Sequence, residues 1–129
     1  MQSEEVSETG YVDGTYQICS VENNVWRAGP ANPSIGLGAS VPFKKPFHVS
    51  AGDVILLQYE GQAITGVSVF FSIGGNNMTG YTRPTNGYSK EYTAVSDFEA
   101  EKLFMRFQGN TTGTFVFTPH IYLNGVRKA

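Results

Sequence analysis

Cysteine is nearly absent from this 129-residue chain: Cys19 stands alone, so no disulfide can form within it. Cys19 sits in the apolar run Tyr16 to Val21 with no cation beside it, which reads as a small buried hydrophobe and not a reactive thiol. Charge is sparse as well. Asp, Glu, Lys and Arg make up 16% of the residues, too few to coat the outer faces of several surface helices. Lysines and arginines are scattered and the net charge is −2, so no basic stripe exists to neutralise phosphates, and nucleic acid is not an expected partner. The longest apolar stretch, Val54 to Leu57, is far short of the roughly 20 residues that span a bilayer. The start, Met1-Gln2-Ser3-Glu4-Glu5, is acidic where a secretory signal is basic, so neither membrane insertion nor a signal peptide is expected.

Histidine occurs only twice, at His48 and His120. The two fall in different predicted strands, with no His, Cys or acidic companion at ligand spacing, so a zinc site is not expected. Asp97, Glu99 and Glu101 alternate as a calcium cage would need, but no Asp-x-Asp-x-Asn-Gly loop accompanies them, and a solvated corner is the plainer reading. Asp53 and Glu60 complete the interior carboxylates worth testing as an acid-base pair. Gly36-Leu37-Gly38 lacks the third glycine of a phosphate cradle, and no Gly-x-Ser-x-Gly elbow occurs. Asn77-Met78-Thr79 and Asn110-Thr111-Thr112 fit the glycosylation pattern, which short Asn/Thr turns generate by chance. No catalytic residue, metal or cofactor is assigned.

Glycine is plentiful instead, with 15 Gly and 6 Pro spread along the length, and hydrophobic residues reach 40%. That suits many short strands around one core. Residues 1–10, with three glutamates, read as a flexible N-terminal arm that orders against a neighbour, and 11–129 as a single domain. Strands are predicted over Tyr16–Val21, Val54–Tyr59, Gly66–Gly75, Tyr88–Val95, Lys102–Gln108 and Thr114–Leu123, with Glu22-Asn23-Asn24 as a turn. Val41–Val49 carries Pro42 and Pro46 and reads as an edge or bulged strand. Arg27–Ser40 reads as a long loop, Asp97–Ala100 as a helical turn or corner, and Gly109–Gly113 as a hairpin to the last strand. The expected fold is all-β, an antiparallel β-sandwich of about eight strands and jelly-roll-like form.

Loop aromatics and amides are the remaining chemistry: Trp26, Asn76, Asn77, Tyr81, Asn86 and Tyr88. Aromatic faces stack on sugars while amides bond their hydroxyls, so these six form a candidate carbohydrate-binding set. Packing within their own loops, or against another subunit, is the plainer reading.

Phe47-His48-Val49-Ser50-Ala51-Gly52-Asp53-Val54-Ile55, with Tyr92-Thr93-Ala94, Lys102 to Phe107 and Pro119 to Gly125, resembles small jelly-roll domains of bacteriophage virion proteins of tail-fibre, baseplate or head-decoration type. The same elements are similar to those of carbohydrate-binding modules. The resemblance covers roughly 41–125 and is one of strand pattern. It implies a virion-associated role, and with the acidic arm and the Pro/Gly-rich loop, which can order against neighbouring subunits, the expectation is a non-enzymatic virion structural protein, either a capsid decoration or a tail or fibre component, acting through contacts with other virion subunits as a homotrimer. The alternative it implies is a carbohydrate-binding module or lectin that recognises host-surface glycans.

Overall fold

The computed structural model describes residues 9–30 and 38–129, and every regular element among them is a strand. Eleven strands run in order: β1 (Gly14–Tyr16), β2 (Cys19–Glu22), β3 (Val25–Ala28), β4 (Gly38–Val49), β5 (Val54–Gly61), β6 (Ser68–Ile73), β7 (Asn76–Asn77), β8 (Ser89–Thr93), β9 (Phe98–Gln108), β10 (Phe115–Leu123) and β11 (Val126–Arg127). One sheet has seven strands in the order β1-β2-β3-β10-β5-β8, with β11 also on β10. The other has four, in the order β4-β9-β6-β7. Pairing is antiparallel throughout, and the two sheets bury a shared core, so the chain is an all-β sandwich.

Period-two alternation decides which side chains enter that core. Val69, Phe71 and Ile73 of β6 and Leu103, Met105 and Phe107 of β9 point inward and are buried. Ile55, Leu57 and Tyr59 of β5 meet them from the other sheet together with Phe117 and Ile121 of β10. Aromatic rings lock the middle: Trp26 lies edge-on to Tyr11 at 5.0 Å and near Phe117 at 5.9 Å, and Phe117 stacks on Tyr59 at 5.0 Å. Such pairs contribute about 0.5–1.5 kcal/mol each beyond the area they bury.

Prolines mark the irregular places. β4 is an edge strand whose register slips between Pro42, opposite Lys102, and Phe47, opposite Ala100. Lys44, Lys45 and Pro46 bulge out there and are exposed. Pro119 sits in the central strand β10, where a missing N–H is ordinarily unfavourable. Its carbonyl accepts the Tyr11 hydroxyl, and because a strand residue's N–H and C=O point to the same side, the lost donor faces the gap beyond the end of β3.

Several expectations need correction. Tyr16–Val21 is not one strand but the β1–β2 hairpin, folded at Gln17 (φ 61°). Gly109–Gly113 does not close a hairpin, since β9 and β10 belong to different sheets and the segment crosses between them. The corner near Asp97 falls earlier, at Val95–Ser96, and β9 begins at Phe98. Arg27 and Ala28 belong to β3 and Gly38–Ser40 to β4, while the rest of that predicted loop at 31–37 lies outside the described residues, as does the arm at 1–8. Asn23-Asn24 is a turn as expected, with φ of 53° and 66°, the two positive values that a tight hairpin requires. A second such hairpin, Asn124-Gly125 between β10 and β11, has φ of 50° and 84°.

Candidate functional site

The six candidate sugar-binding residues do not converge. Trp26 is the clearest departure: it lies in β3, not in a loop, and is 0% exposed. Val25 and Arg27 face out while Trp26 and Ala28 face in, so a ligand cannot reach the indole. Asn76 is committed to its turn, its amide donating to the Ile73 and Gly74 carbonyls and its Oδ1 accepting the Tyr92 hydroxyl at 2.9 Å. Asn77 is exposed beside it in β7. Tyr81 lies against Phe70 at 4.8 Å on the outer face of the four-stranded sheet. Asn86 accepts the Gly61 N–H at 2.9 Å at the far end of β5, and Tyr88 is half-buried against the core.

The other chemistry-bearing residues have local duties. Asp97 accepts the Ala51 N–H at 2.8 Å, and Glu99 meets His48 Nδ1 at 2.5 Å across the β4–β9 pair, so these carboxylates brace a corner and a strand. That hydrogen bond raises the His48 pKa above its ordinary value. Asp53 accepts the Ser50 N–H and the Asn124 amide; the first bond, then the second, lowers its pKa. Burial pushes the Cys19 thiol up to about 12, the behaviour of an inert core side chain. Among the described residues no group of three or more His, Cys, Asp and Glu could hold a metal ion, and no helix is long and apolar enough to cross a membrane.

One surface stands apart. On the outer face of the seven-stranded sheet, Gln58 and Glu60 of β5, on either side of the inward-facing Tyr59, with His120 and Tyr122 of β10 and the Asn86-Gly87 turn, surround a cleft of about 360 Å³. Register sets Tyr122 opposite Leu56 and His120 opposite Gln58. His120 Nε2 lies 2.7 Å from Glu60 Oε1, while its Nδ1 is buried with no partner among the described residues. His120 is 15% exposed and Glu60 69%, so the imidazole is walled in and the carboxylate marks the rim. At one end of the cleft Val54, Leu56 and Tyr122 point outward and are half-buried, and at the other end, beyond Thr118 and Glu60, so does Val116. Polar groups here can exchange hydrogen bonds with a partner, and the apolar centre can be covered by one.

This face was missed because its signal is spread over two strands. Val54-Ile55-Leu56-Leu57 is apolar on both faces, the pattern of a strand covered on both sides. The four-stranded sheet covers only one of them. The opposite outer face differs: Phe70 is flanked by Tyr81 and Phe104, Arg106 lies 5.6 Å over Phe104, and Glu99, Glu101 and Lys102 surround them in solvent. These aromatics pack on one another, and Tyr81 keeps 45% of its surface exposed. Compared with known proteins, the chain matches no family model, no curated protein and no solved structure.

Proposed function

We propose that the chain is a non-enzymatic structural subunit of a phage virion, a capsid decoration or a tail or fibre component, that works as a homotrimer through contacts of its seven-stranded sheet. The single observation that carries the reading is the outward apolar set Val54, Leu56 and Tyr122, neighbours in the β5–β10 register, on a face that the other sheet does not cover. Gln58, His120 and Glu91 flank this apolar set, the polar surround that a subunit interface has. The phage setting and the jelly-roll form rest on the resemblance of 41–125. The jelly-roll form is further supported by the chain's passage from one sheet to the other at each step from β3 to β6 and again from β7 to β10.

Sedimentation velocity tests the reading. Wild type is expected to sediment as an oligomer, and Leu56→Lys, at a half-exposed site that a monomer tolerates, as a monomer with unchanged circular dichroism. A monomeric wild type at high concentration contradicts it. A second reading, glycan binding, is favoured by the cleft itself, which Gln58, Glu60, Asn86 and His120 line with hydroxyl-bonding groups and Tyr122 with an aromatic ring. A glycan array on which wild type binds and Asn86→Ala does not would favour that reading, and a blank array would end it.

A further inference from the structure

At the level of Tyr122 the seven-stranded sheet is four strands wide, and its register sets one row across them. Glu91 of β8 lies opposite Leu56 of β5, Leu56 opposite Tyr122 of β10, and Tyr122 opposite Arg127 of β11. Residues directly opposite in antiparallel strands share a face, so all four point outward, the charged two exposed and the apolar two half-buried. The row therefore ends in a carboxylate on the β8 side and a guanidinium on the β11 side. Neither end has an ion-pair partner among the described residues. Arg127 Nε donates to the Ala129 carbonyl at 3.3 Å, which steadies the side chain and leaves its terminal amino groups to bond a carboxylate.

We propose, resting on the trimer reading above, that this row is the contact between copies of the chain and that Glu91 of one copy pairs with Arg127 of the next. Such a row complements itself only head to tail, since a second row laid the same way round would set Glu91 against Glu91 and Arg127 against Arg127. In a closed ring each copy gives Glu91 to one neighbour and Arg127 to the other, so every contact is the same and no charge is left over. The width of the row suits three copies. Four strands at about 4.8 Å make a face about 19 Å wide, and three such faces closed into a triangle lie about 5.5 Å from the axis. Sheets packed face to face are about 10 Å apart, so each fills about 5 Å with its own side chains. Leu56 and Tyr122 thus fill the centre while the charges meet at the three corners. Four copies would hold the faces about 10 Å from the axis, leaving a channel that these side chains do not fill.

Charge reversal on the full chain tests the pairing, read by sedimentation velocity over a range of concentrations. Glu91→Arg or Arg127→Glu sets like charges at all three corners and is expected to weaken trimer association about 100-fold at low salt, the loss shrinking at high salt. The chain carrying both reversals regains opposite charges at every corner and is expected to assemble as wild type does. Both residues are exposed, so each variant is expected to keep its circular dichroism. A wild type that stays monomeric at every concentration overturns the assembly reading and the pairing with it. A trimeric wild type whose single reversals assemble equally well, or whose double reversal stays dissociated, overturns the pairing alone. Mixing the two single variants separates three copies from two. Two chains facing each other regain both opposite-charge contacts, whereas any ring of three keeps one like-charged corner. A mixture that forms two-chain particles as tightly as wild type associates overturns the cyclic arrangement.

Discussion

Trp26 gives the sharpest test of how the core is held. Its indole is 0% exposed, packed among Tyr11, Phe71 and Phe117, yet its Nε1 is buried with no hydrogen-bond partner among the described residues. Trp26→Phe sets two effects against each other. The smaller ring leaves roughly 40 Å³ unfilled, worth about 1 kcal/mol in cavity terms, with a transfer loss of about 1 kcal/mol beside it. Removing an unsatisfied buried donor returns about 1–3 kcal/mol. The net change is expected to lie within about 1 kcal/mol of wild type, in either direction. Trp26→Ala relieves the same donor but empties the site and is expected to cost about 3–5 kcal/mol. Urea unfolding followed by far-ultraviolet circular dichroism measures both, because the Phe variant has no tryptophan left to report. If Trp26→Phe costs as much as Trp26→Ala, the indole nitrogen is satisfied in solution and the accounting fails. The same burial expects blue-shifted native fluorescence that no added sugar perturbs.

Two further outcomes follow from the titrating groups. With its thiol pushed up to about 12, Cys19 is expected to react with a disulfide reagent at pH 8 about 10³-fold more slowly than an exposed thiol, from its thiolate fraction alone; a fast native-state reaction would show the site to be open. His48 is expected to titrate above 6.5 by NMR because of its bond to Glu99, and Glu99→Gln to bring it back down. Since the folded value is the raised one, the stability from this pair is full below pH 6.5 and is lost as pH rises through the folded pKa. A His48 titration indifferent to Glu99→Gln would remove the hydrogen bond as its cause.

What was legible in the sequence is what local pattern controls. The alternation of Val67 to Ile73 and of Leu103 to Phe107 placed the core faces correctly, because period two is a property of the strand itself. Pro42 and Pro46 marked β4 as an irregular edge for an equally local reason. What escaped depends on pairings far apart in sequence. The Gly109–Gly113 segment has the composition of a hairpin turn, and nothing in it records that β10 pairs with β3 and β5 instead of β9. Gln17 is an ordinary residue held at positive φ by the strands on either side, so no turn signal announced it. Trp26 reads as a loop aromatic beside the predicted loop at Arg27–Ser40, yet the Val-Trp-Arg-Ala alternation belongs to β3. The cleft at His120 and Glu60 joins positions 60 residues apart, and only the register of β5 on β10 brings them together.

The measurement that bears most directly on the proposed role is side-chain footprinting of the protein across its assembly range. Tyr122 and Tyr81 are the internal pair: one lies on the outward face of the seven-stranded sheet, the other, 45% exposed, on the outer face of the opposite sheet. If the chain assembles through the seven-stranded sheet, Tyr122 and His120 lose reactivity towards hydroxyl radicals as concentration rises while Tyr81 keeps it. Protection of Tyr81 in place of Tyr122, or protection of neither at any concentration, would contradict the account.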